Sequence, residues 1–323
     1  MKTIIDKANT RGYFNHGWLK TYHTFSFANY YNPRRIHFGA LRVLNDDTVA
    51  PGEGFGMHPH KNMEVVSIPL QGYLRHGDNV QNESTITPGE IQVMSTGTGI
   101  YHSEYNASKT EDLKFLQIWV IPNVEETKPE YHNYNIRPLL KRNELATFIS
   151  PSGNTPAHLL QDTWFSIGTF DAGHSVIYRM HKPRTGVYIF VIEGESNVAG
   201  ENLSRRDGIG IWDIESVTIE AETSVNSALF CLHLRAKNVI NKTEHFHRAF
   251  LFIKRFQGGT HPCPIRFPAA PSSSAPALPP PLWALLPCWA AAAPAPATPS
   301  RSRWAIRSAT GTIWASSSPA SSP

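Results

Sequence analysis

Two short stretches of the chain carry residue types that can hold a metal ion. They are Gly52-Glu53-Gly54-Phe55-Gly56-Met57-His58-Pro59-His60 and Gly97-Thr98-Gly99-Ile100-Tyr101-His102-Ser103-Glu104. His58 and His60 are two residues apart, and so are His102 and Glu104. In extended backbone, side chains i and i+2 project to the same side. Two neighbouring strands would therefore offer three imidazoles and one carboxylate to a single ion. That donor set suits a first-row metal such as iron, copper, nickel, manganese, cobalt or zinc. Four protein ligands leave coordination positions open, which is what a catalytic site needs and a purely structural one does not.

The segments that must position these residues read as strands. Short β-branched and aromatic runs at 24–27, 41–44, 64–70, 91–94 and 114–121 are punctuated by glycine and Asn/Asp/Pro clusters. Many short, regularly spaced strands argue for a sandwich or barrel. Prolines at 122, 129 and 138 mark residues 123–146 as a linker, with a short helix expected near 138–147. A second β-rich block spans 162–234 and echoes the first: VVSIPLQG (65–72) matches IFVIEG (189–194), and PGEIQVMS (88–95) matches RDGIGIWD (206–213). Such self-similarity implies a duplicated barrel. The second copy lacks a histidine pair like His58 and His60, so one metal per chain is expected, in the first copy.

Charge and composition divide the chain differently. The 323 residues carry 30 Lys+Arg and 26 Asp+Glu, but the last acidic residue is Glu244 and seven basic residues follow it. The body up to 244 is therefore mildly acidic, with a net charge of 23 − 26 = −3. That gives no reason to expect direct nucleic-acid binding. The three cysteines, Cys231, Cys263 and Cys288, define no disulfide framework. The N-terminus has no apolar stretch of signal-peptide length and no 18-residue apolar run occurs, so no membrane insertion is expected and the cytoplasm is the default compartment. The chain changes character from about 241, and from about 268 the text is Ala/Pro/Ser-rich. Residues 245–323 hold 14 of the 25 prolines and four of the eight tryptophans, a composition that does not readily build a core. We expect this stretch to be disordered, or an aberrant extension.

Gly52, His58-x-His60, Glu64 and Gly72, followed by Gly99-x-x-His102-x-x-x-Asn106, resemble the two cupin motifs. The surrounding text, HGWLKTYHTFSFANYY (16–31), GFGMHPHKNME (54–64) and MSTGTGIYHSEYN (94–106), resembles the pirin family, in its bacterial quercetin 2,3-dioxygenase-like branch. The resemblance covers roughly residues 10–234. It implies an all-β bicupin of two antiparallel barrels, divided as 1–122 (metal-binding), 123–146 (linker) and 147–240 (without metal), followed by the tail 241–323. It also implies that His58, His60, His102 and Glu104 bind one divalent metal, with Fe(II) the first expectation. Glu104 would be the base that takes the 3-hydroxyl proton of a flavonol-like aromatic substrate, whose heterocycle is opened with O2 and release of CO. Two other roles fit the same family: a metal-bound, redox-sensing regulatory partner, or another cupin reaction on a small oxygenated molecule.

Glu64 is an even step from His60, and a continuous strand would turn it inward to hydrogen-bond and orient a ligand imidazole. His16, His23, His37 and His76 are expected to be surface or packed histidines, and His245-x-His247 to be incidental. Phe25, Phe27, Tyr30 and Tyr31 are expected to serve packing. Phe55, Met57 and Tyr101 either line a pocket for a planar aromatic molecule or point outward.

Overall fold

In the computed structural model, residues 1–222 and 227–235 are described. The readings made above for residues 236–323, including the tail and His245-x-His247, lie outside them. The described chain forms two lobes, each of two antiparallel sheets. In the first lobe the larger sheet runs, in spatial order, Glu130–Asn135, Glu90–Ser95, Glu64–Gln71, Leu113–Val120, Leu41–Val49, Leu19–His23 and Gly12–Asn15. Its smaller sheet is Gly54–His60, Ile100–Asn106, Leu74–Asp78 and Glu83–Ile86. The second lobe's larger sheet is Lys2–Asp6, Gly208–Trp212, Thr185–Glu193, Ser227–Arg235, Thr163–Phe170 and Ala146–Ile149. Its smaller sheet is Ser175–Arg179, Ser216–Ala221, Ser196–Val198 and Glu201–Leu203. The internal echo is real at the level of neighbours. Glu90–Ser95 lies beside Glu64–Gln71 as Gly208–Trp212 lies beside Thr185–Glu193.

The two-residue period of these strands sorts the side chains into layers. From the first lobe's larger sheet, Leu44, Val66, Ile68, Ile91, Val93, Leu116 and Ile118 face the second lobe. There they pack with Phe148, Phe165, Tyr188, Phe190, Phe230 and Leu232 in one core. Each such side chain contributes roughly 1.5–3 kcal/mol by leaving water, so this seam joins the lobes firmly. The opposite faces enclose the two barrel interiors, and these differ in chemistry. The second is mostly apolar, filled by Val187, Ile189, Val191, Ile209, Ile211, Leu229 and Cys231, with Thr185 and His233 buried at one end of the same strand faces. The first carries buried Thr21, His23, Asn45, Asp47, Ser67, His76, Gln92, His102 and Glu104. Apolar clusters around Leu113 and Phe115 and around Val65 and Trp119 complete that lobe.

Several boundaries read from the sequence do not follow the sheets. Lys2–Asp6 pairs with Gly208–Trp212, so the N-terminal strand is part of the second lobe. Glu130–Asn135, inside the expected linker, is an edge strand of the first lobe and pairs with Glu90–Ser95. The helix expected near 138–147 is a single 3-10 turn, Arg137–Leu139. It stops because Ala146–Ile149 is taken up by pairing with Thr163–Phe170, and a sheet partner outweighs local helical preference. Residues 24–27 are buried but make only an isolated bridge, Phe27 to Tyr30, while the strand proper is Leu19–His23. Among the described residues, no helix is long and apolar enough to cross a membrane.

Candidate metal centre

The smaller sheet of the first lobe brings the two motifs together. Gly54–His60 and Ile100–Asn106 are neighbours, and His58 sits opposite His102 in register. One extra residue in Gly54–His60 then makes a bulge, so that Glu104 faces Phe55. Glycine is needed at two points. A Cβ on Gly54 would lie 2.3 Å from the Glu104 carbonyl oxygen, and Gly97, at φ +41°, would place one 2.0 Å from the Thr127 carbonyl oxygen. Only a residue without Cβ lets these backbones approach.

The result is a triad of imidazoles. Ring nitrogens of His58, His60 and His102 all lie within 4.8 Å of one another. Ring centroids are 4.4 Å apart for His58–His102, 4.8 Å for His60–His102 and 4.9 Å for His58–His60. His102 is fully buried, His60 nearly so, and His58 stands half-buried at the rim. Burial lowers the pKa of all three. His60 falls to about 3, and His102 falls well below the usual histidine range, helped by His60 and His58 beside it. Neutral imidazoles keep one lone pair each, the form in which histidine binds metals. His58 Nδ1 donates to the Gly56 carbonyl at 2.7 Å, which leaves its Nε2 as the free lone pair. His102 Nε2 is buried without any hydrogen-bond partner. An orphaned, buried nitrogen lone pair inside a histidine triad is what a resident metal would satisfy, so these residues fit one.

Glu104 lies on the same face of its strand as His102, but its carboxylate is not gathered with the three imidazoles. Its Oε1 accepts from Ser67 Oγ at 2.9 Å and Gln92 Nε2 at 3.2 Å, and its Oε2 from Gln117 Nε2 at 2.6 Å. Burial raises its pKa to about 7 against the opposing effect of these donors. Asp47, in the same interior, is likewise pushed up to about 7, chiefly by burial.

Glu64 is not where continuous parity puts it. It faces the second lobe with Val66 and Ile68, and its Oε2 accepts the Leu160 backbone N–H at 2.8 Å. It orients no imidazole. The reason is Asn62, whose φ of +51° interrupts the extended chain between His60 and Glu64 and resets the alternation. Met57 and Tyr101 are more than half exposed and point outward. Phe55 is partly buried, edge-on to Trp18 at 5.1 Å. Phe25 and Phe27 are core residues, His23 is buried against Asn45, and His16 is exposed.

Sequence reasoning missed the residues that surround the triad. His76 is buried, with its Nδ1 3.5 Å from His102 Nδ1 and its Nε2 3.1 Å from Asp78 Oδ2. Tyr131 stacks on the His76 ring at 4.0 Å and donates to Gln92. His76-x-Asp78 has the same i, i+2 spacing as the ligand pairs, and that was the available signal. In the second lobe His181 and His233 stack at 5.0 Å. His233 Nδ1 accepts the His181 backbone N–H, and its Nε2 pairs with Thr185 Oγ1, so both ring nitrogens are engaged.

Two sheets per lobe, two lobes in the described residues and a histidine cluster inside the first define a bicupin with a candidate metal centre in its first barrel. Comparison with known proteins carries this further. The pirin family profile matches residues 5–120, and that of the quercetinase C-terminal cupin domain matches 147–232. A quercetin 2,3-dioxygenase of Escherichia coli K12 is 39% identical over 228 residues, covering 71% of this chain and 97% of that protein. A pirin-like protein of Caulobacter vibrioides is 38% identical over 212 residues, covering 64% of this chain and 89% of its own length. Among solved structures, the bacterial pirin YhhW of Escherichia coli in complex with nickel(II) superposes with a TM-score of 0.68 at 36% identity, covering 72% of this chain and 99% of that one. The chain belongs to the pirin family.

Proposed function

We propose that this pirin is a metal-dependent oxidoreductase of the quercetin 2,3-dioxygenase type, opening the heterocycle of a flavonol-like substrate with O2 and releasing CO. The observation that carries the reading is the convergence of His58, His60 and His102, with His102 Nε2 buried and unpartnered. The names of the relatives, a quercetin 2,3-dioxygenase and a nickel-bound pirin, support it. The three imidazoles would hold one divalent first-row ion, with Fe(II) and nickel(II) both compatible with the donors. Glu104, on the same strand face as His102, would be the fourth ligand. A bound ion supplies Lewis acidity, lowering the pKa of a hydroxyl that meets it.

The chain's own residues do the rest. When it does not hold the ion, Glu104, whose pKa burial raises to about 7, would take a hydroxyl proton at neutral pH on Oε2, the oxygen with a single donor. Ser67, Gln92 and Gln117 fix that carboxylate and stabilise its charged form. Substrate enters past His58, the one ligand at the rim. Phe27 and Trp119, packed edge to face at 5.3 Å, wall off water on the His60 side, where Trp119 meets the His60 ring at 4.7 Å.

The test is oxygen uptake and CO release from quercetin by the full chain, loaded separately with Fe(II) and nickel(II). Flavonol-dependent uptake that disappears in H60A and H102A supports the reading. A fully loaded protein that binds metal at these histidines yet consumes no oxygen with a flavonol panel overturns the dioxygenase assignment and leaves the metal centre standing.

A further inference from the structure

The buried pair Asp78–His76 has no part in the reading above, yet it touches His102 from the side opposite the orphaned nitrogen. We infer that Asp78 and His76 form a hydrogen-bond relay that fixes the tautomer of His102, holding its proton on Nδ1 so that Nε2 stays bare for the metal. Asp78 and His76 are thus positioning residues, and the inference rests on the assignment of His102 as a ligand.

Asp78 is anchored before it meets the histidine: its Oδ1 accepts the backbone N–H groups of Val80 at 3.0 Å and Asn82 at 2.9 Å, and its Oδ2 accepts Asn82 Nδ2 at 2.8 Å. Both side chains of the His76–Asp78 pair are fully shielded from solvent. A carboxylate oxygen only accepts, so His76 Nε2, 3.1 Å away, must carry a proton. A neutral His76 then presents a lone pair at Nδ1. His102 Nδ1 lies 3.5 Å from it, so the proton of His102 belongs on Nδ1, where it can be donated. The other tautomer would turn two lone pairs toward each other and place a proton at Nε2, where no acceptor exists. Tyr131, stacked on His76 at 4.0 Å and 18°, keeps the ring in plane. Carboxylates and carbonyls that orient a ligand imidazole in this way are a general requirement of metal sites. Here a second histidine is interposed, while His58 uses the Gly56 carbonyl directly.

Asp78→Asn is the discriminating substitution. The two backbone N–H groups hold the amide oxygen in the place of Oδ1, so the NH2 group faces His76. His76 must then carry its proton on Nδ1, His102 must accept there, and the His102 proton moves to Nε2 and blocks the ligand position. Two measurements on the full chain test this. Long-range 1H–15N correlation of 15N-histidine-labelled, metal-free wild type should show His102 as the Nδ1–H tautomer and His76 as Nε2–H, and D78N should show both reversed. Chelator competition should find nickel(II) bound about 10–100-fold more weakly by D78N. An Nε2–H tautomer for His102 in the wild type overturns the relay whether or not D78N folds. So does wild-type nickel affinity in a folded D78N. If the wild type binds no nickel at His58, His60 and His102, the metal-centre reading fails instead, and the tautomer measurement still decides the relay.

Discussion

Glu64→Ala should lower stability and leave metal binding untouched. Glu64 is 1% exposed and lies in the seam between the lobes, where its Oε2 accepts the Leu160 N–H at 2.8 Å. Removing the side chain leaves that N–H without a partner, which costs about 1–3 kcal/mol. Part of this is offset because burial, ahead of the Leu160 and Ser95 hydrogen bonds, raises the pKa of this carboxyl, so the charged group is itself costly there. A net loss of about 1–2 kcal/mol follows, and in a fold of this size 1 kcal/mol lowers Tm by about 2–4 °C. Thermal melts of metal-free protein should therefore fall by roughly 2–8 °C, while nickel stoichiometry and affinity match wild type. Glu64→Gln, which keeps an acceptor oxygen, should recover most of the Tm. If Glu64→Ala instead keeps the wild-type Tm and loses the metal, Glu64 faces the triad, and the layer assignment built on strand alternation is wrong.

Glu104→Gln keeps the size and one acceptor but turns an amide NH2 toward donors. It should retain weakened nickel binding and lose flavonol-dependent oxygen uptake by at least about 100-fold, the scale of a general base, as read by an oxygen electrode. Gly97→Ala puts a side chain at φ +41° and 2.0 Å from the Thr127 carbonyl oxygen. The turn ahead of His102 must move, so a loss above about 2 kcal/mol and weaker nickel binding should appear together in melts and chelator competition. His233 gives the pH dependence: burial, then His181 and Lys182, lower its pKa from 6.5 to about 3. The unfolded chain takes up this proton below pH 6.5 and the folded one does not, so its contribution is present above 6.5 and is lost as pH falls toward 3, at about 1.4 kcal/mol per unit. His233→Gln should flatten this part of the stability–pH curve measured by urea titration.

The clustering of His58, His60 and His102 was legible because its geometry is local. An i, i+2 pair on a strand declares its shared face without knowledge of the neighbours, and glycine at 54 and 97 marks where backbones must close up. Glu64 was not legible by the same rule, since one left-handed residue, Asn62, breaks the count. Residues 130–135 were hidden by the prolines around them and by polar side chains that suit a solvent-facing edge strand. His76 and Asp78 obey the i, i+2 rule but acquire meaning only across strands, through His102. The placement of Lys2–Asp6 had no local signal, because its partner lies at the far end of the fold.

That N-terminal strand has a consequence in time. The first lobe's larger sheet uses residues 12–135 and can be assembled once they leave the ribosome. Lys2–Asp6 is made before that sheet, but its partner Gly208–Trp212 comes roughly 200 residues later, a wait of about 10–40 s at ordinary synthesis rates. Throughout that interval the nascent chain carries an unpaired strand end, the kind of edge that recruits other chains. Pairing of Lys2–Asp6 therefore ties a strand made before the first lobe into the lobe made after it, and these residues wait for a partner that their own neighbours cannot supply.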